Sequence, residues 1–218
     1  MGSIADNLTS VRARIATAAK DCGRDPLSIK LVAVSKTKAI EGIREAFAAG
    51  QRVFGENYAQ ELRRKADALA DLPIEWHCIG HLQKNKAKLV ASGIAWIETI
   101  DSLDIAQALE QRVTETINTL IEVNVGGEIT KSGVLPEKVP HLLSQLQSLK
   151  KVTVRGLMCI PPYDPNPEKS RPFYQKMRKL LLSTNLNELS MGMSHDFEVA
   201  ISEGATIIRV GEALFGPR

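Results

Sequence analysis

Ile29-Lys30-Leu31-Val32-Ala33-Val34-Ser35-Lys36-Thr37 is the stretch that decides the fold: an apolar run that stops at a lysine. Leu31, Val32 and Val34 show no polar alternation, so the segment reads as a strand covered on both faces, as in parallel sheets. Lys36 falls where that strand ends. In parallel α/β sheets the carboxyl ends of the strands carry the chemistry, because the scaffold there is rigid while the following loops vary. A lysine at that place is a candidate nucleophile whose neutral amine condenses with an aldehyde or ketone to an imine. The alternative is a solvated loop charge, the reading given to Lys38.

Outward from this strand the chain keeps a rhythm. Ile4, Leu8, Val11, Ile15 and Ala18 have helical spacing, with Gly23 as a stop, and predict an extra helix ahead of the first strand. After Leu31–Val34, further strands are expected at Arg52–Gly55, Ile74–Ile79, Ala95–Thr99, Thr119–Val125, Val152–Met158, Glu188–Met191 and Thr206–Val210. Helices are expected between them at Ile40–Ala49, Tyr58–Ala70, Gln83–Val90, Asp101–Leu109, Pro136–Leu149, Ser170–Leu182 and Asp196–Glu203. The run Pro161-Pro162-Tyr163-Asp164-Pro165-Asn166-Pro167 is too rich in proline for either element. Strict βα alternation without hairpin signals implies parallel strands and right-handed crossovers, and eight strands fit closure into a (β/α)8 TIM barrel over a single domain, 1–218. An open doubly wound sheet is the alternative, but no Gly-x-Gly-x-x-Gly follows the first strand.

Composition excludes several classes. The 218 residues hold 28 basic and 25 acidic side chains, a net charge of +3. That balance is too small and dispersed for a nucleic-acid partner, and Lys84, Lys86 and Lys88 lack interleaved aromatics. Cys22, Cys78 and Cys159 are too few and too scattered for a disulfide framework, which points to a reducing compartment. With no secretory leader and no run of about 18 apolar residues, no membrane association is expected and the location is read as cytoplasmic.

If the strands are parallel, the segments just past them share one rim. After the seventh strand, Gly192-Met193-Ser194-His195-Asp196 combines a glycine, a hydroxyl and a helix start, where free N–H groups favour a phosphate. Gly211, after the eighth, lets backbone approach the same point, and phosphate sites built from these two loops recur in such barrels. A phosphate pocket opposite an imine-forming lysine suggests a ligand carrying both a phosphate and an aldehyde, of which pyridoxal 5'-phosphate is the obvious one. Arg209 would then face the ring nitrogen and disfavour its protonation, giving a weak electron sink. Its alternative is an ion pair within the barrel wall. His77 and His81 are four apart, but they span a strand end and a loop with no third ligand nearby in sequence, so no metal site is assigned. Glu56 reads as a buried hydrogen-bonding group. Met158, Met191 and Met193 read as packing side chains, although Met193 is also counted among the cofactor-binding positions.

Six blocks carry a resemblance over nearly the whole chain: Val32–Thr37, Phe54–Glu61, Trp76–Lys86, Arg155–Pro161, Leu189–Asp196 and Arg209–Gly216. In these the chain resembles the pyridoxal phosphate homeostasis proteins, single-domain relatives of the alanine racemase barrel with fold type III. The resemblance implies that Lys36 carries the cofactor as an aldimine and that Ser194, with backbone around Gly211 and Glu212, holds its phosphate. It also implies that Arg209 faces the ring nitrogen and that Asn57 lies beside the ring. Glu212 departs from the Ser or Thr of many relatives. A carboxylate would repel phosphate, so only its main-chain N–H is expected to take part, with the side chain turned outward.

The function so implied is a cofactor-binding protein of vitamin B6 homeostasis, without robust turnover and with no catalytic residues, which stores pyridoxal phosphate or hands it on to apoenzymes; a monomer is expected because the sequence shows no obvious isologous apolar patch. A racemase is the alternative. It needs a second base, supplied in related racemases by a tyrosine of an additional β-domain that is not expected here. Tyr58, Tyr163 and Tyr174 match no such segment. A Schiff-base aldolase acting through Lys36 is a third reading, and it would leave the protein colourless.

Overall fold

The computed structural model describes residues 2–217. Among them, eight parallel strands close into a barrel in sequence order, with the first strand paired to the eighth. The strands are β1 (Lys30–Val34), β2 (Val53–Glu56), β3 (Glu75–Cys78), β4 (Trp96–Ile100), β5 (Ile117–Val123), β6 (Val152–Cys159), β7 (Glu188–Ser190) and β8 (Ile207–Val210). The predicted N-terminal helix is α1 (Ile4–Asp21). Ser3 and Asp6 form a capping box at its start, and Leu8, Val11, Ile15 and Ala19 are its buried stripe. The other helices are α2 (Ile40–Ala48), α3 (Ala59–Ala68), α4 (Leu103–Glu110), α5 (Val139–Leu146), α6 (Arg171–Leu182), α7 (Phe197–Ser202) and α8 (Glu212–Phe215).

Three segments differ from the sequence expectation. Gln83–Val90 forms a 3-10 helix over Lys84–Leu89 instead of an α-helix. Lys84 and Lys88 would be like charges one α-turn apart, which weakens that alternative. The segment expected as one helix over 136–149 is a 3-10 turn at Pro136–Lys138 followed by α5, because Pro140 has no N–H for the carbonyl of Pro136. The short helix α8 had no expectation at all.

Two separate apolar regions follow from the period-two geometry of the strands. Most of the core lies between sheet and helices, whereas Val32, Trp96, Leu120, Met158 and Ile207 cluster inside the barrel. Two residues further along the same strands come Val34, Glu98, Glu122, Ile160 and Arg209. The barrel is therefore plugged with hydrocarbon below and carries charge at the level of its mouth.

Candidate functional site

A cavity of about 500 Å³ opens at the carboxyl ends of the strands, well within the range of small-molecule sites. All seven residues predicted to hold the cofactor line it: Lys36, Asn57, Met193, Ser194, Arg209, Gly211 and Glu212. Val34, Lys38, Ile79, Ile160, Tyr163 and His195 complete most of the wall. Lys36 enters from the end of β1, and Ser194 and Gly211 enter from the ends of β7 and β8. Glu212 borders the cavity with an exposed side chain, in keeping with the outward orientation expected of it.

The loop that presents Lys36 is held from behind. Lys65 of α3 is fully buried between helix and sheet, where its Nζ donates to the Ser35 carbonyl at 2.6 Å and pairs with Glu56 at 2.7 Å and Glu61 at 2.8 Å. Glu61 also accepts from the Thr37 backbone N–H at 2.8 Å, and Thr37 has a φ of 64°, a conformation that a β-branched residue rarely adopts. The peptides on both sides of Lys36 are thus fixed by one ion cluster. Burial raises the pKa of Glu56, opposed by its hydrogen bonds to Lys65 and Ser35. The buried hydrogen-bonding role read for Glu56 is what the structure gives.

The β7 loop is organised by Asp196. This buried carboxylate accepts from the Met193 N–H at 2.8 Å, the Ser170 hydroxyl at 2.9 Å and the Tyr174 hydroxyl at 2.7 Å. Gly192 makes the turn possible: its φ is 93°, and a Cβ there would come within 2.5 Å of Ala200 Cβ. The loops after β7 and β8 meet where the Ala213 N–H approaches Ser194 Oγ at 3.5 Å. Backbone also approaches closely at Gly80, where a Cβ would lie 2.1 Å from the Asn57 carbonyl oxygen.

Arg209, only 4 % exposed, both lines the cavity and joins the barrel interior. It donates to Ser190 Oγ and to the Cys159 carbonyl, the latter at 2.8 Å, and lies 3.7 Å from Glu98. The ion pair within the barrel wall is therefore present, and the same side chain borders the cavity. Ser190 Oγ donates to Glu98 at 2.6 Å, Glu98 meets His77 Nδ1 at 2.6 Å, and His77 Nε2 meets Glu75 at 2.9 Å. Lys30 ends the chain of contacts at 2.6 Å from Glu75. Burial opposes the charged form of His77, but hydrogen bonds to Glu75 and Glu98 outweigh it and raise the imidazole pKa. Burial likewise opposes ionisation of Glu98, yet His77 and Arg209 leave its pKa lowered. Glu75, bonded to His77 and Lys30, falls to about 2. His77 is thus held within the barrel by two carboxylates.

Lys65, Asp196 and Glu98 were not recognised as site-forming from the sequence. A signal existed for Lys65, which falls with Ala59, Leu62 and Ala66 in the buried stripe of α3. Glu98 gave none, because its partner Ser190 is 92 residues away.

Residues 6–218 match the family described as alanine racemase, N-terminal domain. The pyridoxal phosphate homeostasis protein of Pseudomonas aeruginosa is 48% identical over 225 residues, covering 100% of this chain and 97% of that protein. The chain belongs to the pyridoxal phosphate homeostasis protein family. The Escherichia coli K12 member is 43% identical and covers 100% of this chain and 98% of its own length. PipY of Synechococcus elongatus, a structure solved with PLP bound, superposes with a TM-score of 0.85 at 36% identity, covering 98% of this chain and 100% of that one. Alanine racemase from Corynebacterium glutamicum shares the fold at a TM-score of 0.69 and 19% identity, and the chain spans 62% of its length. Family membership and barrel agree with the sequence reading.

Proposed function

We propose that this protein binds pyridoxal 5'-phosphate in the mouth of its barrel and serves intracellular vitamin B6 homeostasis as a carrier without robust turnover. The observation that carries this reading is the convergence of Lys36, Ser194 and Arg209 on one cavity. The residues present fit the group. A primary amine stands at one strand end, a hydroxyl in a glycine-shaped loop at another, and a permanent cation between them. When bound, the cofactor supplies an aldehyde for that amine and a ring that withdraws electrons. Lys36 is the attachment point. Ser194, with the main-chain N–H groups around Gly211 and Glu212, would hold the phosphate, and Asn57 and Met193, which line the same cavity, would lie beside the cofactor. Arg209, held by Ser190, Cys159 and Glu98, keeps the ring nitrogen unprotonated and so limits carbanion chemistry.

The chain is read as one domain, 1–218, and as a monomer in the cytoplasm that donates cofactor to apoenzymes. No helix among the described residues is long and apolar enough to cross a membrane. Tyr163 gives the racemase reading its one supporting observation, because it lines the cavity and packs on His195 with ring centroids 5.1 Å apart. Exchange of the α-hydrogen of alanine in deuterated water separates the two readings: the carrier shows only traces, the racemase rapid exchange.

The phosphate assignment is tested by comparing pyridoxal 5'-phosphate with pyridoxal, titrated by absorbance. Ser194→Ala should weaken the phosphorylated form by roughly ten- to a hundredfold, the worth of one hydrogen bond to a charged group, and leave pyridoxal unaffected. Equal losses for both ligands would remove Ser194 from the phosphate site.

A further inference from the structure

His77 and His81 lack a third metal ligand nearby in sequence, but the barrel supplies two for His81 from the neighbouring strand ends. Its imidazole reaches Asp101, just past β4, with Nδ1 3.5 Å from Oδ2. Glu122, near the end of β5, completes the set, and one ligand atom from each of the three lies within 4.8 Å of the others. A tetrahedral cation with bonds of about 2.0–2.1 Å places its ligands about 3.3 Å apart. The His81–Asp101 pair already has that spacing, and the exposed His81 ring can adjust toward Glu122.

Glu122 supplies the independent observation. It is only 8 % exposed, yet its Oε2 has no hydrogen-bond partner among the described residues. A buried carboxylate oxygen without a donor is costly, and beside a second carboxylate it is more so. Lys84, the nearest lysine in sequence to His81, turns instead to Asp104 at 3.5 Å.

We propose that His81, Asp101 and Glu122 form a site for a first-row divalent cation, with Zn2+ as the best match to one imidazole nitrogen and two carboxylate oxygens. Three protein ligands leave a fourth position for water. The site lies over β3–β5, whereas the loops read as phosphate-binding follow β7 and β8, and Glu122 shares its barrel layer with Arg209.

Calorimetric titration of chelator-treated, full-length protein with Zn2+ tests this. One equivalent should bind per chain, and Glu122→Gln and Asp101→Asn should each weaken binding at least about tenfold. Circular dichroism checks that each variant is folded. If the buried Glu122→Gln change disrupts folding, the rim variant Asp101→Asn decides the matter. Absence of saturable Zn2+ binding, or parental affinity in a folded variant, overturns the site.

Discussion

Lys65 Nζ donates to the carbonyl oxygen of Ser35 across 2.6 Å, so a buried cation fixes the peptide that leads into Lys36. Removing that cation leaves Glu56 buried without its partner. Lys65→Met should therefore cost about 3–5 kcal/mol in urea unfolding, and the neutral pair Lys65→Met with Glu56→Gln should recover part of it. The folded fraction of Lys65→Met should also hold the cofactor less tightly, since the loop bearing Lys36 loses its anchor. A stability loss under about 1 kcal/mol with parental affinity would show that the cluster does not position Lys36.

Arg209 and Glu98 lie 3.7 Å apart, so a charge reversal at Arg209 would set two carboxylates together inside the barrel. Arg209→Gln is the cleaner probe. It should move the absorbance maximum of the bound cofactor, because the cation that disfavours ring protonation is gone. An unchanged spectrum with cofactor bound would remove the proposed contact.

His77 imposes a pH dependence. Its folded pKa is raised above the ordinary value near 6.5, so its contribution is complete below about pH 6.5 and is lost as pH rises through the folded pKa. Stability should fall by about 1.4 kcal/mol per pH unit across that window. His77→Gln should be much less stable than the parent at pH 6, and the gap should narrow as pH rises. A gap that stays constant from about pH 6 to 9 would contradict a charged His77. Glu75 acts in the opposite direction. Its folded pKa of about 2 lies below the ordinary 4.5, so its contribution is present above pH 4.5 and is lost as pH falls toward 2.

The barrel was legible because short apolar runs such as Leu31–Val34 recur in alternation with helical patterns, while glycines and prolines punctuate the helices. The rim was legible for the same reason: once strand ends are placed, Lys36, Ser194 and Arg209 must share it. What holds them was not. Lys65 reads as one more charge in Arg63-Arg64-Lys65 unless the stripe of α3 is followed through it, and Asp196 reads as a helix start, although its carboxylate ties α6 to the β7 loop. Glu98 and Glu122 look like ordinary strand polar residues, because only barrel closure turns their side chains inward. The start of α5 is set by Pro140, which falls in its first turn, and not by Pro136, which opens the preceding 3-10 turn.

Mass spectrometry of protein reduced with borohydride after incubation with pyridoxal 5'-phosphate tests the central claim most directly. One reduced adduct per chain on the Lys36 peptide, absent from Lys36→Ala, is the predicted result. An adduct confined to another lysine, or none under saturating cofactor, would contradict the account.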